Sequence, residues 1–248
     1  MFYFEDLSGK KIMKSTVLKG LNHFFTTRES CIKSKETDMQ KIVEENKKTI
    51  CENFKINLND LIHPSQTHSA NVDIAKEGID SYPETDGLIL DNYNQAIYLN
   101  FADCTPLIFY DGKIAAISHA GWRGTAGMIG VKTVQKMADE FNSNPENIKC
   151  AIGPSISACC YNVGTDVKDK LISTVKNAKD LFEYKNNEIF ADLKNINKRQ
   201  LLEFGLREEN IDVCPYCTVC NNDLFFSYRK ENATTNRHSA VCYLGKKS

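Results

Sequence analysis

The chain has 248 residues, 42% of them hydrophobic and 25% charged, a composition typical of a globular protein and not of a disordered or collagen-like one. The 31 lysine and arginine residues nearly balance the 32 aspartate and glutamate residues, so no global basic field exists for nucleic acid or anionic membrane. No apolar run approaches a bilayer span and no export signal opens the chain, so we expect a cytoplasmic protein with neither partner.

In chain order, the first predicted element is a helix in the lysine-rich stretch from Cys31 to Lys55. Its apolar residues recur at a spacing that fits an amphipathic surface helix: Ile42, Val43, Ile50 and Phe54. Four short apolar runs follow, and each predicts a β-strand: 87–90, 96–99, 107–110 and 114–117. Asp111-Gly112 separates the last two runs, and this dipeptide is a strong hairpin signal.

Beyond Gly124 the apolar residues recur with the period of a helix, which we expect to end before Asn144-Pro145. The later predicted elements are a strand at 151–154, helices at 167–179 and 195–204, and strands at 225–228 and 240–244. Gly205 is expected to cap the second of these helices. Strands and helices are mixed without strict alternation and no linker interrupts them, so we predict one α+β domain over residues 1–248.

The predicted hairpin suggests a metal site. Counting outward from a two-residue loop at Asp111-Gly112, Cys104 lies directly opposite His119. Such partners hold their Cβ atoms about 4.5–5.5 Å apart, which suits two ligands of one metal ion. Pro106 cannot donate to the ladder, so a bulge there would change the register. On the residues alone, a core thiol and a structural histidine are an equal alternative.

Three blocks of sequence resemble the polyphenol oxidase laccase-domain family, whose members are also described as purine nucleoside phosphorylases and as a peptidoglycan editing factor. The blocks are Ala102-Asp103-Cys104-Thr105-Pro106, His119-Ala120-Gly121-Trp122-Arg123-Gly124 and Ile152-Gly153-Pro154-Ser155-Ile156. Shorter segments in the family's order extend the resemblance over residues 20–245: Gln66-Thr67-His68, Thr85-Asp86-Gly87-Leu88, Tyr161-Asn162-Val163-Gly164 and Phe226-Ser227-Tyr228-Arg229.

The resemblance implies a central layered, mixed β-sheet flanked by helices, and a metal ion, usually zinc, held by His68, Cys104 and His119. Three protein ligands leave a fourth position for water, as in catalytic zinc sites. Family members phosphorolyse adenosine, inosine and methylthioadenosine and deaminate adenosine, so the expected partners are purine nucleoside and phosphate, bound by a monomer. Three arginines are expected to hold the phosphate: Arg28, Arg123 and Arg229. The alternative for Arg123 is to pin its loop to Asp103.

Other activities stay open. Cys104 can be the nucleophile of a cysteine hydrolase in peptidoglycan editing, with His119 or His68 as its base. A copper-dependent polyphenol oxidase is less favoured, because five histidines cannot supply several histidine-rich copper sites. A third alternative is a non-catalytic, metal-stabilised nucleoside-binding protein. The family's Arg-x-Gly-Gly appears here as Arg28-Glu29-Ser30-Cys31, without either glycine, so substrate preference can differ from the family's.

The ten cysteines are too few for a disulfide scaffold, and we expect reduced thiols, most of them buried. Cys214, Cys217 and Cys220 have the spacing of an iron–sulfur or redox motif. Because only three cysteines lie close together and no βαβ pattern surrounds them, we favour a packed loop. We interpret the adjacent pair Cys159-Cys160 as packing of small residues.

Overall fold

The structure is a computed structural model that describes residues 1–245; the last three residues of the predicted domain, 246–248, lie outside the described residues. The strands in chain order are β1 (Phe2–Leu7), β2 (Lys10–Ser15), β3 (Asn22–Thr26), β4 (Leu61–Ile62), β5 (Val72–Ile74), β6 (Gly87–Leu90), β7 (Ala96–Phe101), β8 (Thr105–Tyr110), β9 (Ala115–Ala120), β10 (Lys149–Ile152), β11 (Asn162–Val163), β12 (Phe182–Lys185), β13 (Glu188–Ala191), β14 (Ile211–Val213) and β15 (His238–Tyr243). The α-helices are α1 (Gln40–Phe54), α2 (Trp122–Ala126), α3 (Ile129–Phe141), α4 (Thr165–Ile172) and α5 (Leu193–Phe204). None of the helices in residues 1–245 is long and apolar enough to span a bilayer.

Two mixed six-stranded sheets share one hydrophobic core. The first has the strand order β1-β2-β3-β15-β7-β4 and the second β14-β10-β8-β9-β6-β5; a small third sheet has the order β11-β13-β12. Alternation along β9 shows how the layers meet. Ala115 and Ile117 lie in the core with Phe25 and Leu99 of the first sheet, whereas Ala116 belongs to a separate cluster behind the second sheet.

Helices cover the outer faces of both sheets. Val134 and Met137 of α3 pack with Phe109 behind the second sheet, and the apolar stripe predicted after Gly124 therefore faces the core. On the opposite side, Ile50 of α1 packs with apolar side chains of the first sheet. The order of layers is helix, sheet, sheet, helices, which confirms the predicted α+β class with layered mixed sheets flanked by helices.

Two predicted elements differ from the structure: one helix begins later than predicted, and one predicted strand is a loop. The helix predicted from Cys31 begins only at Gln40, because Lys33 pairs with Arg237 in an isolated β-bridge. The strand predicted at 225–228 is a loop. There the backbone N–H of Ser227 donates to a Glu231 carboxylate oxygen instead of a neighbouring strand.

The other helices and strands follow the predicted pattern more closely. The helix predicted at 167–179 is the shorter α4, and residues 178–181 form a separate 3-10 turn. α5 ends at Gly205, whose φ of +123° is a conformation that favours glycine, so the predicted cap is present. The strands predicted at 87–90, 96–99, 107–110, 114–117, 151–154 and 240–244 correspond to β6, β7, β8, β9, β10 and β15.

Candidate active site

The β8–β9 hairpin carries two of the three predicted metal ligands, and its turn sets their register. The Asp111 N–H donates to the Ile114 carbonyl (3.2 Å), so the two-residue loop is Gly112-Lys113 and not Asp111-Gly112. The Asp111 carboxylate also accepts hydrogen bonds from the N–H groups of Lys113 and Ile114. Gly112 has a φ of +103°, as the first central residue of a type II′ turn requires.

This turn makes the predicted register wrong by two residues. His119 pairs with Pro106, and Cys104 lies beyond the ladder against Gly121, not opposite His119. A shift of two preserves the side-chain face, because side chains alternate with period two along a strand. Cys104 and His119 are therefore diagonal neighbours on the face that the second sheet turns toward the first.

The loop between β4 and β5 supplies His68. The Gln66 side chain anchors this loop to β7, since its amide donates to the Asn100 carbonyl (2.9 Å) and its oxygen accepts from the Asn100 N–H (2.8 Å). His68 has a φ of +63°, an uncommon backbone conformation for a residue with a side chain, and its imidazole is exposed. The ligand nearest to solvent is thus on a loop, and the two strand ligands lie deeper.

Asp86 holds these parts together. Its fully buried carboxylate accepts the backbone N–H groups of Thr67 (3.0 Å), His68 (3.1 Å) and Ser69 (2.7 Å) and the Nδ1–H of His119 (2.7 Å). Burial raises the pKa of Asp86, but the hydrogen bond and charge of His119 and the loop N–H groups lower it to about 2. Sequence analysis did not single out Asp86 as a functional residue; only the Asp-Gly-Leu segment pointed to it.

Cys104 and His119 perturb each other's ionisation. Burial would raise the pKa of Cys104, but the charge and hydrogen bond of His119, aided by His68, lower it to about 6. Burial would lower the pKa of His119, but the Cys104 thiolate and Asp86 raise it to about 9. Near pH 7 the metal-free pair is therefore a thiolate and an imidazolium, and the sulfur already has the charge that a metal ligand needs.

The three side chains fit a single metal ion. The ligand atoms of His68, Cys104 and His119 all lie within 4.8 Å of one another. Tetrahedral zinc, with bonds of about 2.0–2.3 Å, requires ligand atoms roughly 3.3–3.8 Å apart, so small side-chain adjustments complete the site. Because Asp86 accepts the Nδ1–H of His119, Nε2 is the ring nitrogen left for the metal, which would replace the Nε2 proton on binding.

The three ligands open into a cavity of about 760 Å³, a volume in the range of small-molecule sites. Its wall combines aromatic and cationic side chains: Lys33, Lys35, Tyr161, Tyr228, Arg229 and Arg237. Of these residues, only Arg229 was predicted from the sequence to bind substrate, whereas Tyr161 and Tyr228 were noted only as parts of segments that resemble the family. Thr235-Asn236-Arg237 resembles the family's Thr-Gly-Arg, but the resemblance gave Arg237 no role, and it is the fold that brings this residue to the cavity.

The three predicted arginines lie in different places. Arg229 lines the cavity, and its backbone N–H donates to the Asp103 carboxylate (2.7 Å). Arg28 forms an ion pair with Glu231 and does not line the cavity. Arg123 is exposed beside a separate depression, with its guanidinium over the Trp122 ring at 4.3 Å. Asp103 is bound by other groups, so the structure does not show the alternative in which Arg123 pins its loop to Asp103.

Comparison with known proteins places this geometry in a family. Residues 23–245 match the family described as "Multi-copper polyphenol oxidoreductase laccase". The relative named "Purine nucleoside phosphorylase YlmD" from Bacillus subtilis (strain 168) is 34% identical over 208 residues, 79% of this chain and 74% of that protein. "Adenosine deaminase RL5", from an unknown prokaryotic organism, is 31% identical over 202 residues, 76% of this chain and 77% of its own length.

Solved structures agree with this assignment over nearly the whole length. The hypothetical protein YfiH of Bacillus licheniformis superposes with a TM-score of 0.88 at 29% identity, covering 97% of this chain and 98% of that one. YlmD from Geobacillus stearothermophilus also gives a TM-score of 0.88, at 27% identity, covering 98% and 99% of the two chains. The resemblance predicted from the sequence is thus confirmed, and the chain belongs to the multi-copper polyphenol oxidoreductase laccase family.

Proposed function

We propose that this chain is a zinc-dependent purine nucleoside enzyme that phosphorolyses adenosine, inosine and methylthioadenosine and deaminates adenosine. One observation carries the proposal: His68, Cys104 and His119 converge at the wall of a nucleoside-sized cavity that is also lined by cationic and aromatic side chains. The relatives named purine nucleoside phosphorylase and adenosine deaminase support the substrate class.

The protein contributes to catalysis by holding the side chains of His68, Cys104 and His119 in position for one metal ion. When bound, the metal supplies a Lewis acid and lowers the pKa of water, which is the nucleophile that deamination needs. Asp86 keeps the proton of His119 on Nδ1 and so keeps its Nε2 available. The same carboxylate holds the His68 backbone, so one buried charge positions two of the three ligands.

The cavity wall offers a place for each part of the substrates. Tyr161 and Tyr228 present aromatic rings on which a purine can stack. Burial and the charge of Cys104 raise the pKa of Tyr161 to about 12, so its phenol stays protonated at neutral pH. In phosphorolysis a phosphate oxygen bonds to the ribose C1′ as the C1′–N9 bond breaks, and the purine leaves with the electron pair and takes a proton. We propose that Arg229 and Arg237, which both line the cavity, hold that phosphate.

The decisive experiment is incubation with adenosine, with and without phosphate, followed by chromatography. We expect adenine only when phosphate is present, and inosine in either case. Cys104→Ser should lose most bound metal and most turnover, whereas Cys51→Ser, on the distant α1, should keep both. A fully metallated and active Cys104→Ser protein would refute the proposal.

The arginines are tested by their effect on phosphate alone. Arg229→Lys keeps the charge but loses the planar fork, so we expect the KM for phosphate to rise more than that for nucleoside. Arg123 and Arg28 stay predicted phosphate ligands, and Arg123→Lys and Arg28→Lys test them in the same assay. Because neither lines the cavity, we expect smaller changes than for Arg229→Lys. An unchanged KM for phosphate in all three variants would place the anion elsewhere.

A cysteine hydrolase is the second candidate, favoured by the thiolate–imidazolium state of Cys104 and His119 in the metal-free protein. Chelation separates the two candidates: it abolishes a zinc activity and activates or spares a cysteine nucleophile. Copper-dependent phenol oxidation is tested by loading metal-free protein with copper or zinc and assaying both substrates. Phenol oxidation by the copper form, without nucleoside consumption by either form, would overturn the nucleoside proposal.

A further inference from the structure

Four cysteines away from the candidate active site bring their sulfur atoms together: Cys159, Cys160, Cys217 and Cys220. All four Sγ atoms lie within 4.8 Å of one another. The Sγ of Cys220 is 3.7 Å from that of Cys159 and 3.6 Å from that of Cys160, and all four thiols are free. From the sequence, these cysteines were interpreted as parts of two unrelated packed loops, because 56 residues lie between Cys160 and Cys217. In the folded chain the two loops are neighbours.

The backbone of two loops holds this arrangement. Ser155 and Cys217 form an isolated parallel β-bridge, in which the Thr218 N–H donates to the Ser155 carbonyl (3.1 Å). The Cys160 N–H donates to the Ser157 carbonyl (2.9 Å), which closes a turn. The Ser157 N–H donates in turn to the Cys217 sulfur at 3.5 Å. Backbone N–H groups bound to sulfur are typical partners of metal-bound thiolates.

We propose that Cys159, Cys160, Cys217 and Cys220 bind one zinc ion as a closed structural site. A tetrahedron of sulfur atoms at about 2.3 Å from a central zinc has edges of about 3.8 Å. Two of the sulfur–sulfur separations, 3.6 and 3.7 Å, are close to that edge. An iron–sulfur cluster places more than one iron between its thiolates and needs a wider spacing. Four protein ligands leave no open position, which distinguishes this site from the active site.

The charge around the four sulfurs suits such a site. Four thiolates around a divalent ion leave a net negative charge, which a nearby cation offsets. Lys194 of α5 is 3% exposed, and its ammonium donates to the carbonyls of Cys214 (2.9 Å) and Tyr216 (2.8 Å). This buried cation therefore sits against the loop that leads into Cys217.

The proposed ion would clamp the two loops beside the active site. The Ile156 N–H donates to the Asp103 carbonyl (2.9 Å), and the Thr218 hydroxyl donates to the Asp103 carboxylate (2.6 Å). Asp103 directly precedes Cys104, so both loops of the cysteine cluster contact the segment that carries the active-site thiol. Loss of this zinc should lower thermal stability without removing any ligand of the active-site metal.

Metal analysis of two matched variants tests the proposal. Cys220→Ser changes an exposed ligand, whereas Cys214→Ala changes a cysteine of the same loop that lies outside the cluster. We expect Cys220→Ser to lose about one zinc per chain relative to wild type, and Cys214→Ala to lose none. The same comparison in a Cys104→Ser background makes the result independent of the active-site metal, because that background removes the other site. Equal zinc content with and without Cys220 would overturn the proposal.

Cobalt substitution gives a second readout that does not depend on activity. The Cys104→Ser protein loaded with cobalt(II) should show intense sulfur-to-cobalt charge-transfer absorption, which Cys159→Ser and Cys220→Ser should each reduce. Circular dichroism of each variant checks that the fold is intact. Absorption that is the same in all three proteins, or a Cys160–Cys220 disulfide in freshly purified protein handled without oxidant, would refute a zinc site.

Discussion

Asp86→Asn removes a charge and an acceptor from the centre of the active site while keeping the size of the side chain. In the native protein the carboxylate accepts hydrogen bonds from the N–H groups of Thr67, His68 and Ser69 and from His119. An amide nitrogen cannot accept a hydrogen bond. Depending on which carboxylate oxygen it replaces, either the His68 N–H and the His119 Nδ1–H or the N–H groups of Thr67 and Ser69 lose their acceptor. We expect both the fold and the metal site to weaken.

The size of the effect follows from the pKa of Asp86, which falls from 3.8 to about 2 in the folded protein. That depression corresponds to a preference of about 2 kcal/mol for the ionised form. Because the folded pKa is the lower one, this stability is fully present above pH 3.8 and is lost as the pH falls through about 2. Metal-free Asp86→Asn should therefore be about 2–4 kcal/mol less stable than wild type at neutral pH. Its metal affinity should fall about 10–100-fold.

Two measurements check this prediction. Urea denaturation of the metal-free proteins gives the difference in free energy of unfolding, which should shrink as the pH rises from about 6.5 toward about 9, because Asp86 helps to raise the pKa of His119 from 6.5 to about 9. Competition with a chelator gives the metal affinity. The matched control is Asp91→Asn, which removes the same charge from an exposed carboxylate at the other end of β6 and should change neither quantity. If Asp86→Asn matches the control in both, the proposed role of the Asp86 hydrogen bonds is wrong.

Three further predictions concern other residues of the fold and the site. Gly121→Ala should lower the metal occupancy of the active site, because the new Cβ would lie 2.9 Å from the Cys104 sulfur. Gly164→Ala is the control, because its methyl group meets only the flexible Asp166 carboxylate, and equal metal occupancy in both variants would contradict the close contact between residue 121 and Cys104. In metal-free protein, alkylation of Cys104 should slow about tenfold between pH 7 and pH 5, since its thiolate is protonated as the pH falls through about 6, and bound zinc should block the reaction. Peptide mapping measures the alkylation rate, and a rate that does not change with pH would count against the lowered pKa. Gly153→Ala should cost about 1–3 kcal/mol in thermal or urea unfolding, because its Cβ would lie 2.3 Å from the buried Phe25 ring, and wild-type stability would show that the core relaxes around it.

The elements predicted best from the sequence are those whose apolar pattern reflects the burial of their own side chains. The strands from β6 to β9 and the helix α3 lie against the core, and their apolar periods identify them. The prediction was wrong where hydrogen bonds to other segments or to side chains determine the backbone conformation. Lys33 pairs with Arg237 instead of extending α1, and Ser227 takes a side-chain acceptor where a strand was predicted. Neither contact leaves a periodic signal.

The candidate site was predicted in the same uneven way. The predicted proximity of Cys104 and His119 holds despite the incorrect register, because an error of two residues leaves both side chains on one face. The turn itself was misplaced because the Asp111 carboxylate accepts the N–H groups of Lys113 and Ile114, which puts Asp111 before the loop. No spacing rule could place Asp86 or Arg237 at the site, because their roles depend on how distant loops meet.

The origins of the three ligands have a consequence for how the active protein assembles. Cys104 and His119 belong to one hairpin, whose pairing closes a short loop and costs little chain entropy. His68 comes from a distant segment and reaches them only when Gln66 has docked on β7 and Asp86 has gathered the loop N–H groups. We therefore expect two ligands to come together early and the third late, so that tight metal binding follows the meeting of the sheets. Retained metal is then a mark of completed folding, and refolding chains gain it last.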